Sequence, residues 1–581
     1  SLWEAVPDFI RELSAKFEAK YDLALPLDAA PVKISSWMGG DRDGNPFVTS
    51  KVTQQVLLLA RKRAAKLFAQ DVDMLQVELS MSDCDDTIRA QVGDELEPYR
   101  ALLRPLLTTL TNTKNGIAEF LNGESVDGSK GIASKEELTR HLGMGDYANW
   151  SEEDKQAFLL KELSSKRPLF PTKWQPSADV QEVIDTCKVV AKHSEEGFGI
   201  YIISMASLPS DVLSVHLLLR EFGVTWPMPV APLFETLDDL NAASGVIDAL
   251  MNIDWYRGYI QGHQYVMIGY SDSAKDAGAM AAGWAQYESQ EALVAVAEKF
   301  GVELTLFHGR GGTIGRGGLP AHAAILSQPP GSLSGGFRVT EQGETIRYKF
   351  GMPQLAQRSL SLYASAILEA LISPPPAPKQ EWRDLITEVA ANARDNYRNT
   401  VRHDENFVPY FRVATPEQEL GKLPLGSRPA KRKPSGGIES LRAIPWIFAW
   451  AQTRLVLPSW LGAMKSVQTA IDAGKRPLID DMLQNWPFFH SRFSMLDMVF
   501  GKADPRISAE YDKRLVPEEL RHLGDALRDE LNMSMSLLLD VLQQKEVMES
   551  DPKGNESMNI RAGYLQPLHF LQIELLERIR A

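Results

Sequence analysis

The stretch LTLFHGRGGTIGRGGLPAH, Leu304 to His322, gathers six glycines, two arginines and a histidine into the eleven residues from His308 to Gly318. Glycine lets backbone approach a ligand closely and lets a loop change shape, while arginine offers a planar fork of donors matched to carboxylate and phosphate oxygens. Anion binding is the chemistry such a segment suits, and a solvated loop whose arginines pair with surface acids has the same composition. Neither GxGxxG nor GxxxxGK[ST] is present, so a dinucleotide or Walker-type phosphate site is not supported. Two carboxylates, Glu235 and Asp272, each end an apolar run. Hard divalent cations commonly use one or two carboxylates plus substrate oxygens and water; acids capping neighbouring helices read the same way. Lys275 follows Asp272 by three residues in GYSDSAKDAG, a spacing that lets lysine and acid face one pocket and that an ordinary surface lysine shares. Arg442 introduces an apolar run with Trp446, Phe448 and Trp450, where a charge needs a partner or a ligand. Just before it, Arg428, Lys431, Arg432 and Lys433 look like a nuclear-import patch, but the surrounding prolines and glycines and the acidity of the chain favour a structured or gating loop. In SSWMGGDRDGNPFVTS, the sixth position from Asp41 is Pro46 where a calcium loop of the EF-hand type requires glycine, which rejects that reading.

These residues need elements to hold them. Between Gly199 and Glu344 short apolar runs alternate with helical patterns: IYIISMA (Ile200 to Ala206), VAPLFET (Val230 to Thr236), YVMIGYSD (Tyr265 to Asp272) and VELTLFHG (Val302 to Gly309). Such alternation predicts parallel strands joined by helical crossovers. It puts Glu235, Asp272, His308 and Arg310 at the strands' carboxyl ends, where parallel barrels and open sheets assemble their sites. One crossover helix is expected from a cap at Ser210, with Val212, Val215, Leu219 and Phe222 on one face and Gly223 as its stop. Helical periodicity fills Ser1 to about Lys130 and returns after about Leu360. The expected fold class is therefore α/β and predominantly helical, a single domain over 1–581 with a helical region at 1–195, a strand and helix region at 196–360, and a second helical region at 361–581.

The 581 residues carry a formal charge of −14 and 44% hydrophobic content, enough to bury a large core. That acidity argues against a nucleic-acid partner, since phosphate backbones are held by surplus lysine and arginine. The two cysteines, Cys84 and Cys187, are far apart and form no CxxC pair, so neither a disulfide framework nor a thiolate zinc site is expected and a cytoplasmic setting fits. No apolar run approaches the roughly 20 residues of a spanning helix, and the start has no signal-peptide pattern, so no membrane partner is expected.

Several stretches carry a resemblance. VMIGYSDSAKDAG (Val266 to Gly278) and FHGRGGTIGRGG (Phe307 to Gly318) are similar to the lysine signature and the glycine-rich catalytic loop of the phosphoenolpyruvate carboxylase family. SWMGGDRDGNP, PVAPLFETLDDL, LSQPPGS, RVTEQGE, VPYFR, ATPEQELGKLPLGSRPAKRKPSGGIESLRAIPWIFAW and VFGKAD resemble it too, so the match runs along nearly the whole chain. The resemblance implies a (β/α)8 barrel with many additional helices, and carboxylation of phosphoenolpyruvate by bicarbonate to oxaloacetate and phosphate with Mg²⁺ or Mn²⁺ and no biotin. It implies that Glu235 and Asp272 hold the metal, and that Arg310 and Arg442 grip substrate oxygens with Arg428 nearby. His308 would hold the substrate or the carboxyphosphate intermediate, Arg316 would steady carbon dioxide transfer, and Lys275 is the signature lysine of the active site. It also implies a homotetramer inhibited by L-aspartate or malate through Lys502, Arg561 and a shared Arg316.

Three family segments have no counterpart in the text. None of the ten histidines lies in a TAHPTE-like motif, an LDxRQ-type arginine segment is missing between Lys130 and Gly131, and the GIAAGxRNTG-like tail does not follow Ala581. Either these are parts of a longer enzyme, or the chain is a catalytically silent relative that binds phosphoenolpyruvate or aspartate as a sensor. The intact remaining motifs favour the enzyme, because loss of the catalytic histidine should relax the rest of the site.

Overall fold

The computed structural model describes residues 1–122, 140, 144–171, 174–309, 321–423 and 441–581. Helices dominate it, and the sheet is small and wholly parallel. Its strands are β1 (Tyr201–Ile203), β2 (Val230–Phe234), β3 (His263–Ile268), β4 (Glu303–His308) and β5 (Phe337–Val339). They lie side by side in chain order, β1-β2-β3-β4-β5. Near-continuous burial along β2 and β4 is what a parallel sheet covered on both faces demands.

The four predicted strands are all present, with shifted ends. β3 stops at Ile268, so Asp272 is not on the strand: it lies in the first turn of the helix Ser271–Ala277. The cause is Gly269. Its amide donates to the Phe234 carbonyl at 2.9 Å, and a Cβ there would stand 2.7 Å from that oxygen and 2.8 Å from Glu235 Cα. Backbone touches backbone at this point, and only glycine fits. The helix Pro209–Glu221 begins one residue before the expected cap at Ser210; proline suits a first helical position because its missing N–H would be unpaired there anyway. β5 falls where no strand was predicted, three residues being too few to display a period.

The chain divides into two compact units, one gathering Ser1–Lys33, Ile200–Val212 and Pro229–Ala581, the other Ile34–Gly199 and Leu213–Met228. In the first, the helix Leu237–Met251 starts from a reciprocal capping box between Thr236 and Asp239, which satisfies two orphan donors and fixes the chain leaving β2. The helix Ala279–Phe300 is buried nearly all round over its first half, from Met280 to Gln286, as an interior helix should be. Trp284 and Tyr287 on it meet Trp486 and Phe488 edge-on or tilted. The apolar run after Arg442 forms the helix Ala443–Gln452. Its i, i+4 pair Trp446 and Trp450 is buried against Phe407 and Phe411, whereas Phe448 on the opposite side is 40% exposed.

In the second unit the long helices Ser50–Glu78 and Pro98–Asn122 pack together. The helix Ala178–Lys192 buries Val180, Ile184 and Cys187. Both cysteines are free thiols, and burial pushes the Cys187 thiol up to about 12. Among the described residues no helix is long and apolar enough to cross a membrane.

Candidate active site

The strands end in one row. Phe234 is level with Ile268, Ile268 with His308, and His308 with Val339. Beyond the row the ladder continues for one step: the Gly309 amide donates to the Ile268 carbonyl and the Thr340 amide to the His308 carbonyl, both at 3.3 Å. Glu235, Gly269, Gly309 and Thr340 therefore form the first layer past the carboxyl edge, where such sheets place their chemistry.

Glu235 is buried and its Oε2 accepts the Met205 amide at 3.1 Å. Met205, just past β1, holds that amide in place with a left-handed φ of 56°, a conformation a side chain other than glycine adopts only at a cost. The Gly269 contact brings the chain carrying Asp272 onto the backbone of Glu235. Among the described residues no group of three or more His, Cys, Asp or Glu is placed to hold a metal ion. What this edge offers a cation is a two-carboxylate, all-oxygen set, which fits a hard divalent ion that completes its shell with water and substrate.

Lys275 is buried, with Nζ 3.4 Å from Asp272 Oδ1 and donating to the Leu441 carbonyl at 2.6 Å. That second bond ties the residue immediately before Arg442 to Lys275 and so to the neighbourhood of Asp272. Arg442 then precedes the first turn of Ala443–Gln452 with an extended backbone. Gly269, Ser273, Asp276 and Gly278 of the GYSDSAKDAG motif give structural support. Ser273 Oγ donates to the Gly269 carbonyl at 3.2 Å, and Gln286 Nε2 donates to the same carbonyl at 3.0 Å and to Ser273 Oγ at 3.1 Å. Asp276 pairs with Arg398 at 2.9 Å and with Arg402. Gly278 has φ +80°, and a Cβ there would lie 3.1 Å from the Tyr397 ring, whose hydroxyl donates to the Lys275 carbonyl at 3.0 Å.

His308 ends β4 fully buried, and burial pulls its pKa down to about 3, so the ring is neutral near pH 7. Nδ1 is 2.7 Å from the Tyr270 hydroxyl, and Nε2 is sealed from solvent with no hydrogen-bond partner among the described residues. At a distance from the strand edge in the chain, Lys502 closes the helix Pro487–Lys502 and Arg561 lies on the helix Pro552–Arg580. Burial lowers the Lys502 pKa, and the charges of Arg561 and Arg454 lower it further, which places these cations within electrostatic reach of one another.

Of the residues singled out from the text, Glu235, Asp272, Lys275 and His308 gather at the strand edge, and Lys275 is bonded to the chain at Leu441 beside Arg442. Arg310, Arg316 and Arg428 lie outside the described residues, as do Lys431, Arg432, Lys433 and the junction of Lys130 with Gly131. Two contributors went unassigned. Tyr270 has a readable signal, a hydroxyl-bearing ring two residues before Asp272, whereas the Met205 amide has none, because a backbone donor leaves no mark in side-chain chemistry.

The family model described as phosphoenolpyruvate carboxylase matches residues 1–139 and 129–581. The phosphoenolpyruvate carboxylase of Aeromonas salmonicida strain A449 is 54% identical over 638 positions, spanning 100% of this chain and 73% of the relative. Those of Vibrio vulnificus strain CMCP6 and Psychromonas ingrahamii are 55% and 53% identical over the same span and shares. The alignments are longer than the 581 residues of the chain, and the family match divides at 129–139, the region where the text passes over the expected arginine segment. The chain belongs to the phosphoenolpyruvate carboxylase family.

Proposed function

We propose that the chain joins bicarbonate to phosphoenolpyruvate, giving oxaloacetate and inorganic phosphate, at the carboxyl edge of β1–β4. The observation that carries this is the contact of Gly269, three residues before Asp272, with the backbone of Glu235, with a neutral, buried His308 at the end of β4, in a chain more than half identical to enzymes of that name. Glu235 and Asp272 would hold Mg²⁺ or Mn²⁺, which when bound supplies a Lewis acid to polarise the substrate and stabilise its enolate. Lys275 and Arg442 add positive charge on the Asp272 side, suited to phosphate and carboxylate oxygens because preorganised cations need no rearrangement as charge moves from phosphate to enolate. His308 presents a ring nitrogen to substrate or carboxyphosphate. The motif positions of Arg310, Arg428 and Arg316 assign them substrate grip and transfer of the carboxyl group.

Strand order supports a (β/α)8 barrel: five parallel strands in unbroken sequence are what an arc of such a barrel contains, whereas a doubly wound sheet reverses order at a switch point. The proximity of Lys502 to Arg561 supports a dicarboxylate inhibitor such as L-aspartate or malate. A homotetramer in the cytoplasm completes the reading.

The test is oxaloacetate formation by the natural full-length polypeptide, followed as NADH consumption through added malate dehydrogenase. Turnover should require both bicarbonate and a divalent cation, and Arg316→Ala should nearly abolish it while metal binding persists. Phosphate release independent of bicarbonate, or near-normal turnover in the variant, refutes the assignment; binding of phosphoenolpyruvate without any turnover would identify a silent relative.

A further inference from the structure

We propose that Arg454 is a third cation of the dicarboxylate site to which Lys502 and Arg561 belong, its guanidinium taking one ligand carboxylate. The inference rests on the proposed reading of Lys502 and Arg561 as inhibitor residues and adds a residue that reading does not contain. Three contacts bring the segments together. The Asp504 amide, two residues past Lys502, donates to the Arg454 carbonyl at 2.9 Å. Met558 meets the residue just before Lys502, since a Cβ at Gly501 would lie 3.5 Å from Met558 Cε; Arg561, three residues on, shares that side of the helix Pro552–Arg580. Further along the same helix His569 Nδ1 is 3.2 Å from the Tyr511 hydroxyl, and Tyr511 belongs to the helix Pro505–Leu515 that Asp504 caps.

The backbone of Arg454 is held in an uncommon conformation. Its φ is 61°, and Val456 two residues later has φ 50°; side chains other than glycine adopt that left-handed region at a cost, and such strain persists where the surroundings over-determine the chain. Both backbone groups of Arg454 are taken, the amide by the Ala451 carbonyl at 3.2 Å and the carbonyl by the Asp504 amide. The side chain has no such commitment: its Nε is sealed from solvent, and among the described residues the guanidinium makes no hydrogen bond or ion pair. Asp504 is the carboxylate at hand, but its Oδ1 accepts the Arg506 and Ile507 amides and its Oδ2 pairs with Arg506 at 3.1 Å. Consistent with this placement, the charge of Arg454 adds to burial in lowering the pKa of Lys502 and of His569. Cations gathered this closely repel one another, and a bound dianion relieves that repulsion. A guanidinium also supplies a planar fork matched to both oxygens of one carboxylate, which an ammonium lacks. The site is thereby attached to the substrate side, because Arg442 precedes the helix Ala443–Gln452 and Arg454 stands two residues past its other end.

The test is calorimetric titration of L-malate into the natural full-length polypeptide, a measurement that needs no turnover. Arg454→Asn removes the charge and installs a residue type that tolerates the left-handed region. The dissociation constant should rise roughly 10- to 100-fold, the worth of a hydrogen bond to a charged group, and Arg454→Lys should recover much of the loss. An unchanged constant in Arg454→Asn overturns the inference, as does a loss that Arg454→Lys leaves unrepaired, which would make the residue structural. Where Arg454→Asn does not fold, Arg454→Gln gives the same answer. Lys502→Gln and Arg561→Gln separate this inference from the reading beneath it. If they weaken malate binding and Arg454→Asn does not, Arg454 alone leaves the site; if none of the three alters binding, the dicarboxylate reading falls and the inference with it.

Discussion

Glu235 and Asp272 carry different burdens although both are strand-edge carboxylates. One oxygen of Glu235 is already committed to the Met205 amide, whereas Asp272 shares its neighbourhood with the Lys275 ammonium. Glu235→Gln keeps the shape and one acceptor but removes the charge. It should weaken Mn²⁺ binding by at least about tenfold, the scale of losses around metal sites, as read by titration against the manganese electron-spin signal. Undiminished affinity would remove Glu235 from the metal site. Lys502 supports a prediction of opposite kind. Its pKa is lowered from the ordinary 10.5, chiefly by burial and then by Arg561 and Arg454. A lysine with a depressed pKa gives up its proton earlier as pH rises, and the neutral amine no longer attracts a dicarboxylate. Inhibition by malate, whose carboxylates stay ionised throughout, should therefore fade on the alkaline side before pH 10.5 is reached. Lys502→Arg should hold inhibition to higher pH; identical inhibition profiles for the two proteins would mean that this amine does not hold the inhibitor.

The β2–β3 crossing is set by a glycine rather than by any catalytic side chain. Gly269→Ala would put a methyl carbon 2.7 Å from the Phe234 oxygen and 2.8 Å from Glu235 Cα, and rigid backbone on both sides leaves the strand ends to separate. Overpacking of this kind costs on the order of 1–3 kcal/mol, and the displaced Glu235 and Asp272 should lose metal affinity in the same variant. A lowered melting temperature with unaltered metal affinity would show that the crossing stabilises the sheet without aligning the site. Much of this edge was readable from the text, because apolar runs punctuated by Glu235 and His308 mark strands and their polar ends. Asp272 was placed on a strand instead of in a helical turn, since Gly269 and Tyr270 prolong the apolar pattern past the last ladder bond.

Acid stability should expose two histidines in different units of the chain. His308 belongs to the first unit and His216 to the second, and burial pulls each from an ordinary 6.5 to about 3. For both, the folded pKa lies below the unfolded one, so the unfolded chain gains protons as pH falls through 6.5 while the folded chain stays neutral until about 3. Stability contributed by the neutral ring is complete above 6.5 and is lost progressively across that window. Between pH 7 and pH 5 the loss is about 2 kcal/mol per histidine. His216→Gln and His308→Gln each delete one titrating group, so each variant should lose less stability than the parent over that interval, whatever its stability at pH 7. Urea unfolding at the two pH values measures this, and where the units unfold in separate steps each substitution should change only the step of its own unit. A parent and variants with the same acid sensitivity would mean that these rings reach solvent or take up protons in the folded state. Such an outcome would also remove the physical basis for a neutral His308 at the strand edge.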